Sequence, residues 1–330
     1  MILIISEEED ISTNIVIDWL HFYGQNFIRV NKEDKIFIKK FHIHNNSIKF
    51  EFIHKNQFYD SDSILSVWNR RGTLFPKRYI EMSDISSLDL RNALVEPLSR
   101  DYISLVNYLH YFFERKEIIG KMYNRNINKL MCLHIAKDCG MEIPETLVSN
   151  EKQEIINFAQ KHFKKGIITK GIQETIFFDL NNTTTYAAKT ESVDAEDLKE
   201  LPDEFFPLLI QDKIPKKYEL RIFFLNDELY TMAIFSQFDE QTSTDFRNYN
   251  YKKPNRTIPY ILPPEIRNKL IQFMHQVDLN TGSIDMILTP DNRYIFLEVN
   301  PVGQFGMVSY PCNYGIEKKI AEILIQCNSF

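Results

Sequence analysis

Two apolar runs near the C-terminus, residues 283–288 and 294–300, flank the turn-forming residues 289–293 and read as one antiparallel hairpin. With Thr289 paired to Tyr294 across a four-residue loop, Asp285 stands directly opposite Glu298, and Asn300 follows on the same face. Ile284, Met286, Leu297 and Val299 flank the two acids, which sets the hairpin inside a core. Opposed carboxylates repel unless a cation lies between them. Mg²⁺ takes oxygens from one or two carboxylates and leaves its other positions to phosphate. The hairpin therefore predicts a metal site at Asp285, Glu298 and Asn300 that carries a phosphate-bearing ligand. The competing reading is a solvated sheet face with two unpaired acids.

The rest of the chain supplies enough apolar material to house such a hairpin. Its 330 residues are 44% hydrophobic, more than one core usually holds, and a multi-lobed α/β protein with α+β lobes is expected. A net charge of -6 gives no positive field for nucleic acid or an anionic membrane, so neither is an expected partner. Cys132, Cys139, Cys312 and Cys327 form no C-x-x-C pair and read as buried thiols. The opening is apolar for five residues and then acidic from Glu7 to Asp10, unlike a secretory signal. No apolar run approaches the ~18 residues of a membrane span. A cytoplasmic location is expected.

Periodicity divides the chain into three parts. Residues 1–116 read as an N-terminal lobe: a buried strand 1–5, a helix 12–23 closed by Gly24, strands 27–30, 36–41, 48–53 and 64–68, and a helical stretch 88–114 interrupted at Pro97. Residues 117–206 hold a helix 128–138 stopped by Gly140, a strand 145–148, a helix 151–163 and a strand 167–170. A hairpin, 174–178 with 184–189 about Asn181 and Asn182, is placed to close over a ligand. Residues 207–330 carry strands 208–212, 219–224 and 229–235, an irregular stretch 237–264, a helix 265–277, the acidic hairpin and a helix 316–327.

Several cations suit a nucleotide. Lys170 ends an apolar strand, where its ammonium meets phosphates as a point charge, and Lys129 starts a helix whose N-terminus favours anions. Solvated positions are the plain alternative for both. Gln211, Asp212, Lys213 and Ile214 run from an apolar strand into Pro215, which cannot continue a ladder, so their backbone can meet a purine edge. Glu219 and Arg221 share a face. Arg221 suits a transferred phosphate and Glu219 a ribose hydroxyl, or the two pair with each other.

With these pieces in order the chain resembles the ATP-grasp superfamily over about residues 117–327: Lys129, Lys170, the Gln211 to Ile214 hinge, Glu219-x-Arg221, Asp285 and Glu298-x-Asn300. The stretch 296–305, Phe-Leu-Glu-Val-Asn-Pro-Val-Gly-Gln-Phe, and the stretch 67–72, Val-Trp-Asn-Arg-Arg-Gly, look especially like the ATP-grasp enzymes that macrocyclise ribosomal peptides, the microviridin-type or graspetide synthetases. Residues 13–20 and 27–31 are similar to their grasp-with-spasm peptide maturase subgroup. The resemblance implies an ATP-grasp fold with an N-terminal pre-ATP-grasp lobe, a central lid domain and a C-terminal metal-binding domain. It implies ATP and Mg²⁺, a precursor peptide whose Asp or Glu is phosphorylated and then attacked by Ser, Thr or Lys, a radical-SAM-type protein encoded nearby, and a homodimer.

An acyl phosphate supplies the leaving group a carboxylate lacks, and no enzyme nucleophile is required. No Ser-His-Asp or Cys-His constellation is evident, and His42 and His44 read as structural. The resemblance also assigns the Asp-x-Arg at Asp245 and Arg247 to the substrate's reacting side chains, with Arg247 positioning the carboxylate. Residues 239–262, with Lys252, Lys253, Arg256, Tyr249, Tyr251 and Tyr260, are suited to an acidic peptide, and Trp68, Arg70 and Arg71 point the same way. Only Gly171 follows Lys170, so phosphate cover falls to the 174–189 hairpin. Ligation of an amino acid to a small molecule or protein C-terminus, and a nucleotide-binding scaffold without turnover, are the rival readings.

Overall fold

The computed structural model describes residues 1–45, 47–76, 86–122, 127–172, 176–180, 184–188, 190–237 and 254–326, with backbone alone at 75–76, 176–180 and 184–188. The chain forms two compact units, Met1–Arg125 with Gln304–Ser309 and Gly315–Phe330, and Asn126–Gly303 with Tyr310–Tyr314. Among the described residues no helix is long and apolar enough to cross a membrane.

The first unit opens with β1 (Ile2–Ser6), α1 (Ile11–Phe22), β2 (Phe27–Asn31), β3 (Lys35–His44), β4 (Ser47–His54) and β5 (Gln57–Asp60). It continues with β6 (Ser66–Asn69), β7 (Phe75–Pro76), α2 (Leu88–Glu114) and β8 (Glu117–Ile119). β1 is buried at all five residues because it is internal to a parallel sheet of order β2-β1-β6-β8, which needs cover on both faces. A second sheet runs β5-β4-β3-β7. Pro97 does not divide α2 as its missing N–H predicted. Ala93, whose carbonyl a proline at 97 cannot serve, lies on an exposed stretch open to solvent.

The second unit holds α3 (Lys129–Asp138), β9 (Thr146–Ser149), α4 (Lys152–Lys161), β10 (Ile167–Lys170), β11 (Ile176–Leu180), β12 (Thr184–Ala188), β13 (Glu191–Val193) and α5 (Ala195–Glu200). Then come β14 (Leu208–Asp212), β15 (Tyr218–Leu225), β16 (Glu228–Phe235), β17 (Arg256–Pro259), α6 (Pro264–Gln276), β18 (Thr281–Leu288) and β19 (Tyr294–Asn300). The chain closes with α7 (Gly306–Cys312) and α8 (Ile316–Gln326), of which α8 and the start of α7 belong to the first unit. One antiparallel sheet has the order β13-β10-β14-β9 and a second β17-β16-β15-β18-β19, while β11 and β12 pair alone. The five-stranded sheet turns Leu220, Ile222, Phe224, Ile284, Met286, Phe296 and Val299 onto α3 and α6, which close the largest core with Leu133, Leu270 and Phe273.

β17 lies inside the stretch expected to be irregular. Arg256-Thr257-Ile258-Pro259 has no alternation of its own, and its strand exists because β16 offers an open ladder. That places Arg256 over the Phe235 ring at 5.6 Å and bonds the Tyr260 hydroxyl to that of Tyr294 at 2.5 Å, so both are engaged by the sheet. Cys132, Cys139 and Cys312 are buried free thiols, and burial pushes Cys132 up to about 12. Cys327 lies outside the described residues.

Candidate active site

Asp285 does face Glu298, but by a different route from a regular hairpin. The ladder pairs Leu288 with Tyr294, so Thr289 meets Arg293 in place of Tyr294, its N–H donating to the Arg293 carbonyl at 3.0 Å, and the pairs Met286 with Phe296 and Asp285 with Glu298 differ by one residue in register. Leu297 is the extra residue of a β-bulge. Phe296 and Val299 both enter the core, three residues apart, whereas a regular strand returns to one face every second residue. Without the bulge Glu298 would follow Phe296 into the core. With it, Leu297 and Glu298 join Asp285 and Ile287 on one pocket wall.

Each carboxylate is held by a cation of the chain. β15 lies between β16 and β18 with Arg221 registered on Asp285, and Arg221 Nη1 donates to both carboxylate oxygens at 2.7 and 2.6 Å. Lys129 Nζ, at the start of α3, lies 3.2 Å from Glu298 Oε2. The N–H groups of that helix start are partly taken, since Asn128 accepts from Leu130 and Met131 at 2.9 and 3.2 Å. Glu219 does not pair with Arg221. It accepts from Lys216 Nζ at 2.5 Å and from Ser236 Oγ at 2.6 Å, and burial pushes its carboxyl up. Neither Lys216 nor Ser236 stands out in the sequence, because both reach Glu219 only through the bend and the β15–β16 pairing.

The opposite wall is the four-stranded sheet. Lys170 ends β10 and lines the pocket with Ile168, Thr190, Gln211, Asp212, Lys213 and Ile214. The Asp212 and Lys213 amides are already donated to Glu145 O and Gly166 O at 3.2 and 3.0 Å, and Asp212 Oδ1 accepts from Glu145 N at 2.8 Å. The purine edge expected on this backbone therefore meets two occupied N–H groups. Gln211 offers something else. Thr146 gives its single hydroxyl proton to Pro144 O at 3.0 Å, so it accepts from Gln211 Nε2 at 2.8 Å. This turns Gln211 Oε1 the other way, a fully buried acceptor with no partner among the described residues.

Asn300 pairs with Ser283 and accepts from Val302 N through Oδ1 at 3.0 Å. Gly303 packs so tightly that a Cβ there would lie 2.3 Å from Ser283 Cβ and Oγ, which is why the Asn-Pro-Val-Gly turn needs that glycine. Asp245, Arg247, Tyr249, Tyr251, Lys252 and Lys253 lie outside the described residues. The β11–β12 hairpin pairs Leu180 with Thr184, and its tip at 181–183 and Lys189 lie outside them as well.

In the first unit Trp68 and Arg70 are core residues, not an open peptide surface. Arg70 is 4% exposed, bonds Gln304 Oε1 at 3.3 Å, meets Asp10 Oδ2 at 3.3 Å and lies 5.3 Å over the Phe305 ring, while burial pulls its pKa down to about 10. Arg71 reaches the same Asp10 at 3.3 Å.

Hard oxygen donors from two facing carboxylates fit Mg²⁺, and a lysine with a buried acceptor on the other wall fits a nucleotide's phosphate and amino group. Among the described residues no group of three or more His, Cys, Asp or Glu comes together, so a metal here draws the rest of its coordination from outside the acidic side chains.

No curated protein sequence matches the chain. Macrocyclase MdnC bound with precursor peptide MdnA, from Microcystis aeruginosa MRC, is 28% identical over 99% of both chains with a TM-score of 0.78. A Chryseobacterium gregarium RiPP-associated ATP-grasp ligase in complex with ADP and a leader and core peptide is 25% identical over 98% of this chain and 96% of that one, also at 0.78. The ATP-grasp ligase PsnB, complexed with minimal precursor, Mg and ADP, shares the fold at 15% identity and 0.72, over 99% and 97%. The RimK-like ATP-grasp domain model matches residues 126–324. The chain thus belongs to the RimK-like ATP-grasp family and is an enzyme of the ATP-grasp carboxylate ligase class.

Proposed function

We propose that the chain phosphorylates Asp or Glu side chains of a ribosomal precursor peptide with ATP and cyclises them onto Ser or Thr as esters, or onto Lys as amides, releasing ADP and phosphate. The observation that carries the nucleotide half is the facing pair Asp285 and Glu298 on a pocket whose other wall holds Lys170 and Gln211. The peptide half is supported by the full-length likeness to MdnC, itself bound with a precursor peptide.

In this reading Asp285, Glu298 and Asn300 hold Mg²⁺, which neutralises charge spreading over the transferred phosphoryl group. Lys129, Lys170 and Arg221 bind phosphate oxygens. Gln211 Oε1 accepts from the purine amino group, the Asp212 to Ile214 segment lines the base, and Glu219, held by Lys216 and Ser236, faces the ribose side. Arg247 and Asp245 position the peptide's reacting groups. The 117–206 part acts as the lid and 207–330 as the metal domain. A homodimer in the cytoplasm and a radical-SAM/SPASM protein encoded nearby complete the proposal.

Incubation with a neighbouring Thr-, Ser-, Asp- and Glu-rich peptide, ATP and Mg²⁺ tests it by mass spectrometry. Loss of one water per ring is expected. A mass gain from an added amino acid would replace the macrocyclase with a ligase of the amino-acid-adding kind, and ATP binding with no phosphate release would point to a scaffold.

A further inference from the structure

The two carboxylates proposed to hold the metal are each engaged by a cation. Arg221 Nη1 donates to both oxygens of Asp285, and the two side chains are 9% and 12% exposed. Lys129 holds Glu298 at 3.2 Å. Lys170 lines the same pocket. Two neutral pairs with a further ammonium nearby are a poor place for a bare divalent ion, which would have to displace a buried charge-assisted bond while staying beside the displaced cations.

Phosphate changes that balance. Arginine and lysine that leave a carboxylate need another anion, and phosphate oxygens supply one in the same pocket. Asp285 and Glu298 would then be open to hold a divalent ion that the nucleotide's phosphate oxygens also bind.

We propose that Arg221 and Lys129 are built-in counter-ions that hold Asp285 and Glu298 closed to a divalent ion until a nucleotide draws them away, so that metal and nucleotide enter as one unit. The inference rests on the metal role of those carboxylates. By linkage, a nucleotide that raises metal affinity gains the same factor from the metal.

The test is Mn²⁺ binding to the full chain, followed by electron paramagnetic resonance with and without saturating ADP, the Mn²⁺–ADP association in buffer being subtracted. Wild type should bind Mn²⁺ at least about tenfold more tightly with ADP. Lys129→Gln and Arg221→Gln should each bind Mn²⁺ alone several-fold more tightly than wild type does, a magnitude on the order of the usual coupling between sites. Equal Mn²⁺ affinity with and without ADP, or variants whose affinity for Mn²⁺ alone is unchanged, would overturn the counter-ion role. Should Arg221→Gln fail to fold, Lys129→Gln and the wild-type comparison decide the matter. If wild type takes up no Mn²⁺ even with ADP, or Glu298→Gln and Asp285→Asn bind Mn²⁺ and ADP as wild type does, the metal site itself is wrong.

Discussion

Asp285 faces Glu298 across two strands whose neighbouring pairs, Met286 with Phe296 and Leu288 with Tyr294, follow a register one residue different. The extra residue, Leu297, lets the strand bury Phe296 and still turn Glu298 to the pocket. A strand that served only packing would have no use for that change of face. Arg221, registered on Asp285 in the next strand, and Lys129, beside Glu298, supply the positive charge that two facing acids require.

Glu298→Gln separates the chemistry from the fold. The side chain is 15% exposed and its partner Lys129 23%, so the ammonium loses its counter-charge in a mostly buried place and stability should fall by about 1–3 kcal/mol. Phosphate release should drop by on the order of a hundredfold or more, as for loss of a transition-state charge contact. Thermal melts and a phosphate assay check both halves, and near-normal turnover would remove Glu298 from the site.

Gly303→Ala should destabilise the chain by about 1–3 kcal/mol, because the new methyl group meets Ser283 at 2.3 Å and the Asn300 carbonyl at 3.2 Å. Adding Ser283→Gly should recover most of the loss. Thermal unfolding of the single and double variants measures the coupling, and additive losses would mean the clash is not the cause.

Thr146→Val should impair nucleotide choice without disturbing the chemistry. Thr146 fixes which end of the Gln211 amide is the acceptor and leaves that buried carbonyl oxygen without a partner among the described residues, an arrangement matched to an amino group and not to a keto oxygen. KM for ATP is expected to rise by about tenfold, the worth of one hydrogen bond, with kcat little changed and discrimination against GTP reduced. Unaltered discrimination would assign base choice elsewhere.

Asp34 ties β2 to β4. Burial raises its carboxyl, but the Asn31 N–H at 2.9 Å, His54 at 3.0 Å and Lys55 at 3.2 Å outweigh that and hold it below the ordinary value of 3.8. A depressed carboxyl stabilises the fold above its unfolded pKa and loses that contribution as pH falls through the folded one. Asp34→Asn should cost on the order of 1 kcal/mol at neutral pH, allowing for solvent screening. The gap to wild type should close below pH ~4. A gap that stays constant in acid would mean the charge is not responsible.

How much of this was legible in the sequence follows from where each signal lies. Strands buried on both faces, such as β1, and caps such as Gly140 are written locally and were readable. The facing of Asp285 and Glu298 was readable too, although a regular ladder was the wrong reason for it. The apolar positions Phe296 and Val299, out of step with strict alternation, carried the bulge. Arg221 on Asp285 was not readable, because β15 and β18 become neighbours only after β16, β17 and α6 have intervened. Nor was β17, whose residues acquire a strand from their partner. Trp68, Arg70 and the 304–305 pair were readable as motifs, but their shared role is packing within one unit.

The most direct test of the account follows an atom. A precursor peptide with heavy oxygen in its Asp and Glu side chains, incubated with the chain, ATP and Mg²⁺, should transfer one heavy oxygen to phosphate for every ring closed, because the carboxylate oxygen leaves on the phosphoryl group. Rings formed with unlabelled phosphate would contradict activation of the peptide carboxylate by ATP.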